Sequence, residues 1–309
     1  MALLFVSDAD SASDWERELG KHLPALDLRV WPELGDPGAI EAVLVWRPPA
    51  GLLRQLPNLR LIAALGAGVD HIFADPSLPA GVPIVRLVDP YMTTAMSEYV
   101  ELQVLRLHRR DPLYLAQQRA AIWRPWPQPN AAERKVGVLG LGVLGSDAVL
   151  KLKVLGFDVA GWSRREKRLP GIACFHGADG LDALLARSEI LVSLLPLTPA
   201  TEGLLDARLF ARLPHGAALV NCGRGRHLVE ADLLAALASG RLSAAVLDVF
   251  RDEPLPPQHP FWRHERILVT PHVAAATHAP TAALTVAENL RRLRDGRPLL
   301  DEVDRSERY

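Results

Sequence analysis

The strongest constraint on the fold is a series of short, almost wholly apolar segments that alternates with helix-like stretches along most of the chain. The first part contains LLFVSD (3–8), LRVWP (28–32), AVLVW (42–46), LRLIAALG (59–66) and IVRLV (84–88), with a polar helix expected near 11–22. These segments are too apolar for strands with one wet face. A parallel sheet covered by helices on both faces accounts for them. From Lys135 a second series begins: KVGVLGLG, FDVAGWS (157–163), ILVSLLP (190–196), AALVNCG (217–223), AAVLDVF (244–250) and ILVTPH (267–272). Amphipathic stretches GLDALLARS (180–188) and VEADLLAALASG (229–240) lie between them, the latter stopping at Gly240. The pattern is α/β, with a doubly wound parallel sheet formed twice over.

Between the two series a single helix-like stretch is expected from about Thr94 to Ala120, followed by the proline- and tryptophan-rich connection WRPWPQPN (123–130). The final helix, roughly 279–295, has no place beside the second sheet, so it is expected to return to the first domain and make that domain discontinuous. A chain of 309 residues is long enough for two such cores. A formal charge of −1 argues against a general nucleic-acid binder. The N-terminal MALLFVSDADSASDW lacks a basic start and a long apolar core, so no secretory signal is expected. No segment approaches the roughly 18 apolar residues of a membrane span. Cys174 and Cys222 are the two cysteines, too few for a disulfide framework and suited to a reducing compartment. The expected location is the cytoplasm, with no membrane partner.

Gly140, Gly142 and Gly145 form G-L-G-V-L-G directly after the apolar KVGVL and before SDAVLKLKVLG. In such a turn the first glycine permits the tight bend, the second lets the backbone approach a pyrophosphate, and the third allows close strand–helix packing. The anion then meets the N–H groups of the following helix, with Val143 and Leu144 in its first turn. The next strand should end in a carboxylate if it reads the ribose 2′-hydroxyl of NAD. It ends instead in Ser163-Arg164-Arg165, a hydroxyl and two guanidiniums suited to a 2′-phosphate. NADPH is therefore the expected cofactor, with NADH the weaker alternative. Leu195, Pro196, Cys222, Gly223 and Asp248, at or near the ends of later strands, complete the expected cofactor neighbours.

Three further segments, NCGRG (221–225), LDVFRDEPLPP (247–257) and TPHVAA (270–275), also fall at the carboxyl ends of strands, where open α/β sheets bind ligands. They carry Arg224, Glu253 and His272. Arg224 lies between two glycines, which is expected to free its backbone for an unusual conformation. Reducing a 2-keto acid needs an anchor for the carboxylate, a polariser for the carbonyl and a proton for the developing alkoxide. Arginine offers a planar fork for the first two. Histidine titrates near neutrality and can supply the third, while a neighbouring carboxylate steadies and orients its ring. The other histidines, including His71, His176 and His227, show no H-x-x-x-H spacing, so no metal site is expected.

Together, G-L-G-V-L-G, N-C-G-R-G, D-V-F-x-x-E-P-L-P and T-P-H-V-A-A resemble the cofactor turn and the Arg, Glu and His segments of the D-2-hydroxyacid dehydrogenases. ALGAGVD (64–70), VWRPP (45–49), W-S-R-R (162–165), EPLPP (253–257) and Val-Asp-Arg (303–305) resemble the branch of that family that reduces glyoxylate and hydroxypyruvate. The resemblance implies a Rossmann NAD(P)-binding domain (99–279) inserted into a flavodoxin-like substrate domain (1–98 plus 280–309). It implies that Arg224 anchors the substrate, Glu253 partners His272, and His272 is the acid/base. It implies too that the backbone of Ala67, Gly68 and Val69 clasps the substrate carboxylate and that Trp46 lines the cleft. Relatives of this kind are usually homodimers built through the cofactor domain, to which 94–120 is a plausible contributor. Alternatives are another dehydrogenase of the family, acting on phosphoglycerate, lactate or formate, or an NAD(P)-sensing protein resembling the family's corepressors. Two positions depart from the pattern: Gly223 stands where alanine is common, and Tyr91 where a small residue is usual.

Overall fold

The computed structural model describes all residues, Met1–Tyr309. They divide into two compact units, Met1–Met92 with Thr277–Tyr309, and Thr93–Ala276. The division falls at 92/93 and 276/277 rather than at 98/99 and 279/280. Met96 packs among buried residues of the second unit, whereas the Thr277 hydroxyl donates to the Leu65 carbonyl and Ala279 joins the first unit's core.

The first unit runs β1 (Ala2–Val6), α1 (Ala12–His22), β2 (Asp27–Val30), β3 (Ile40–Val45), β4 (Leu61–Ala64), α2 (Asp70–Phe73) and β5 (Ile84–Val85). Its five strands are parallel in the order β2-β1-β3-β4-β5, the flavodoxin-like order. Successive side chains alternate faces. Leu3, Phe5, Leu44 and Leu61 enter one core, and Leu4, Val6, Val43 and Ile62 the other. With both faces buried, β1, β3 and β4 are almost wholly apolar, which is why they read as continuous apolar runs, whereas the edge strand β2 is partly exposed. Ser11 caps α1 by accepting from the Asp14 N–H, and Trp15 and Leu19 turn inward.

The second unit carries most of α3 (Pro90–His108), then α4 (Asp111–Arg119), β6 (Lys135–Leu139), α5 (Val143–Val154), β7 (Asp158–Ser163), β8 (Ala173–His176), α6 (Gly177–Arg187) and β9 (Ile190–Ser193). It continues with α7 (Ala207–Arg212), β10 (Ala217–Asn221), α8 (Glu230–Ala238), β11 (Leu242–Leu247) and β12 (Ile267–Val269). The sheet order is β12-β11-β10-β9-β6-β7-β8, all parallel. Counted from β6, this is the dinucleotide-binding order 3-2-1-4-5-6 with one strand added. Helices α3 and α5 cover one face through Val100, Val104, Val149 and Leu152, and α6, α7 and α8 cover the other.

The single helix expected over 94–120 is two. Arg110 turns left-handed at φ 61°, and Pro112 in the first turn of α4 cannot continue the preceding helix. Strand β8, a short edge strand with no fully buried residue, had no counterpart among the apolar runs.

The closing helix, α9 (Ala279–Asp295), lies against α1 in the first unit, with Ala282, Ala283, Val286, Ala287 and Leu290 buried. It stops at Gly296, which takes φ 66°.

Candidate active site

The glycine turn leaves β6 and opens α5. Gly140 adopts φ 100°, and a Cβ there would stand 2.7 Å from the Leu194 carbonyl oxygen. A Cβ on Gly145 would lie 1.8 Å from the Gly140 oxygen, so the third glycine is what lets helix and turn close on each other. A Cβ on Gly142, by contrast, would meet nothing within 4 Å. The middle glycine therefore borders open space beside the start of α5, where Val143 is exposed and the first N–H groups lack helical partners. That cradle fits the pyrophosphate of a dinucleotide.

At the end of β7 the serine hydroxyl is engaged within the turn. Ser163 is buried and its hydroxyl donates to the Arg165 carbonyl at 2.7 Å, which shapes the turn. Arg164 and Arg165 are both exposed.

Asp248 is 1% exposed, and its carboxylate is committed to the chain that follows β12. Oδ1 accepts from the Thr270 hydroxyl at 2.6 Å and from the Val273 N–H at 2.9 Å, and Oδ2 accepts from the Ala274 N–H at 2.9 Å. Asp248 thus fixes the loop that bears His272, a role that its expected place beside the cofactor did not include. Leu195 and Cys222 are buried, and Pro196 is half-buried.

His272 follows β12 with φ 55°, its N–H donating to the Asp248 carbonyl at 2.8 Å. Its Nδ1 lies 2.9 Å from Glu253 Oε2, while Glu253 Oε1 accepts from the Phe250 N–H at 2.9 Å. The carboxylate is therefore held by the loop after β11 before it holds the ring. The Glu253 carboxylate accepts from Nδ1 and so fixes the orientation of the ring.

Arg224 follows β10, the strand beside β11, so all three residues sit on neighbouring strand ends. Its backbone is ordinary extended chain, φ −143° and ψ 148°, contrary to the expected unusual conformation. The flanking glycines serve close packing instead. A Cβ on Gly225 would stand 1.8 Å from the Phe250 carbonyl carbon, and one on Gly223 3.0 Å from both His227 Nδ1 and the Leu195 oxygen. The Arg224 carbonyl accepts from Asn221 Nδ2 at 3.1 Å, and its Nη1 donates to the Gly223 carbonyl at 2.9 Å.

In the first unit, Trp46 is half-buried just beyond β3, its ring 4.5 Å from that of His71 and 5.6 Å from the Arg47 guanidinium. It also covers Gly66, where a Cβ would come within 3.2 Å of the indole. Ala67, Gly68 and Val69 follow directly and lead into α2. These residues line the carboxyl edge of the first sheet, as Arg224, Glu253 and His272 line that of the second. Tyr91 is 48% exposed and stacked on His278, the ring centres 4.4 Å apart.

A nucleotide-binding sheet order, a pyrophosphate-sized glycine cradle and a histidine–glutamate pair on neighbouring strand ends define a dinucleotide-dependent oxidoreductase. Residues 102–274 match the D-isomer specific 2-hydroxyacid dehydrogenase NAD-binding domain. The chain is 43% identical to glyoxylate/hydroxypyruvate reductase A of Serratia proteamaculans and 41% identical to that of Yersinia enterocolitica, with 98% of each chain covered in both cases. A D-isomer specific 2-hydroxyacid dehydrogenase from Xanthobacter autotrophicus, solved with NADPH and MES, superposes with a TM-score of 0.96 at 46% identity, covering 100% of this chain and 99% of that one. An NADPH-dependent glyoxylate/hydroxypyruvate reductase from Sinorhizobium meliloti, solved with NADP and sulfate, gives 0.94 at 39% identity over 100% of both chains. The chain belongs to the D-isomer specific 2-hydroxyacid dehydrogenase family.

Proposed function

We propose that this protein reduces small 2-keto acids, glyoxylate to glycolate and hydroxypyruvate to glycerate, with NADPH preferred over NADH. The observation that carries the proposal is the 2.9 Å contact of His272 Nδ1 with Glu253, on strand ends adjoining that of Arg224. In this reading the Arg224 guanidinium takes the carboxylate and carbonyl oxygens of the keto acid in a bidentate grip. His272 gives its Nε2 proton to the carbonyl oxygen as that oxygen gains charge, and Glu253 holds the imidazole in position throughout. The hydride itself is the chemistry that a bound nicotinamide supplies. Gly140, Gly142, Val143, Leu144 and Gly145 cradle the pyrophosphate, and Leu195, Pro196, Cys222 and Gly223 border the rest of the cofactor. The first unit supplies Trp46 and the backbone of Ala67, Gly68 and Val69 to the substrate. NADPH preference is supported by the exposed Arg164 and Arg165.

A homodimer in the cytoplasm completes the reading. The second unit exposes Leu102, Leu105, Leu115, Ile122 and a fully exposed Trp123 along α3, α4 and the connection after them, apolar surface that a second copy would cover. Both cysteines are free thiols, and no helix is long and apolar enough to cross a membrane. The deciding experiment is a panel of keto acids assayed with NADPH and with NADH. Turnover of phosphoglycerate-derived or lactate-derived keto acids above that of glyoxylate and hydroxypyruvate would overturn the substrate assignment.

A further inference from the structure

His227 is fully buried, 0% exposed, one turn beyond Arg224 in the loop after β10. Its Nδ1 lies 3.2 Å from the Arg224 backbone nitrogen, and its Nε2 3.2 Å from the Pro196 carbonyl oxygen in the loop after β9. A backbone N–H can only donate and a carbonyl can only accept. The ring is therefore neutral with its proton on Nε2, accepting from Arg224 at one edge and donating to Pro196 at the other. Pro196 is held from a second side by the Thr201 hydroxyl at 2.7 Å. Arg224 is thus fixed through both backbone groups, its N–H by His227 and its carbonyl by Asn221. The ring also occupies the space beside Gly223, where an added Cβ would come within 3.0 Å of Nδ1.

We propose that His227 is a positioning residue, which sets the backbone of Arg224 against the loop after β9 and so aims the guanidinium that grips the keto-acid carboxylate. The inference rests on Arg224 being that anchor. The ring satisfies a donor on one loop and an acceptor on another, and the donor is the backbone of Arg224 itself. Aim matters because a bidentate grip needs both oxygens met at once, and small misplacements near a reacting centre are costly.

Two substitutions separate the ring's two edges. In His227→Asn the side-chain oxygen stands near the place of Nδ1 and can still accept from Arg224. In His227→Gln the amide reaches the place of Nε2 and can donate to Pro196, leaving the Arg224 N–H without its acceptor. Expected for Asn is a KM for glyoxylate within about threefold of wild type, and for Gln a KM raised roughly tenfold, the effect of one lost positioning bond. The NADPH dissociation constant, followed by nicotinamide fluorescence, should stay within about threefold in both, since Pro196, the cofactor neighbour to which the ring is bonded, is still held by the Thr201 hydroxyl. Equal KM values for the two variants, or the reverse order, would overturn the proposal and leave His227 a packing residue. Arg224→Lys, assayed alongside, tells the two levels apart. If it keeps wild-type KM, the anchor assignment itself has failed; if it is crippled while Gln at 227 is not, only the role of His227 has.

Discussion

Arg224 has the most exacting geometry of any side chain in the proposed site, because its value lies in the planar fork and not in its charge alone. Arg224→Lys keeps the charge and loses the fork, so kcat/KM for glyoxylate should fall by about 1.5–3 kcal/mol in transition-state binding, roughly tenfold to a hundredfold. Steady-state kinetics at near-wild-type efficiency would remove Arg224 from the site. If His272 is the proposed acid/base, His272→Ala should cost roughly 100- to 10,000-fold in kcat, the range for a positioned acid/base. Its binding of NADPH should be little changed. In the proposed reading, cofactor choice rests on two other residues. Arg164 and Arg165 are the groups proposed to meet the 2′-phosphate. Replacing both by Ala should raise the KM for NADPH at least tenfold, the loss of about one charged contact or more, and leave that for NADH nearly unchanged. An equal effect on the two cofactors would show that the pair does not read the phosphate.

At the scale of elements, the loop after β12 shows how His272, the proposed acid/base, is kept in a left-handed backbone conformation. Asp248 ties down Thr270, Val273 and Ala274 around it, and the Tyr99 hydroxyl on α3 lies 2.6 Å from that of Thr270. Burial, with Cys222 and Asp248 nearby, pushes the Tyr99 phenol above its ordinary value, and burial likewise pushes the Cys222 thiol up. The folded state therefore keeps both protons at pH values where the unfolded chain has released them, from about 8.5 for the thiol and about 10 for the phenol. Their contribution is complete below those values, and stability should decline as pH rises beyond them. Tyr99→Phe should lower stability at neutral pH by about 1 kcal/mol, one lost hydrogen bond, yet make the decline above pH ~10 shallower. Urea unfolding at several alkaline pH values measures this, and an unchanged slope in the variant would refute it. These ties also mark what sequence reading could reach. Gly140, Gly142 and Gly145 were legible because local backbone demands fix both residue type and spacing. So was the placing of Arg224, Glu253 and His272 at strand ends, in proline- and glycine-rich loops. The grip of Asp248 on 270–274 and of His227 on Pro196 was not, because each joins segments that only the fold brings together. The break between α3 and α4 was signalled by Pro112, but the apolar continuity of the stretch obscured it.

At the scale of the whole molecule, the two units differ in how the chain builds them. The second is one continuous segment, Thr93–Ala276, whereas the first is assembled from both ends of the chain. The first unit's core depends on the return. Ala282, Ala283, Val286, Ala287 and Leu290 of α9 are all buried among Leu3, Phe5, Trp15 and Leu44. Removing α9 would expose the face they cover, at about 1.5–3 kcal/mol for each large aliphatic or aromatic side chain uncovered, more than a typical domain can lose. A chain ending at residue 276 should therefore keep an ordered second unit beside an unfolded first one. The segment 93–276 expressed alone should fold, since its sheet and both of its cores lie within it. Every residue proposed to contact the cofactor also lies in that segment, from the glycine cradle to Gly223. The fragment should accordingly bind NADPH within about tenfold of the full chain's affinity, a difference of about 1.4 kcal/mol. It should show no keto-acid reduction, because Trp46 and the 67–69 backbone are gone. Circular dichroism and nicotinamide fluorescence on the fragment test both halves of the claim. A folded fragment that fails to bind NADPH would mean that the first unit takes part in holding the cofactor, and the division of labour between the units would have to be redrawn.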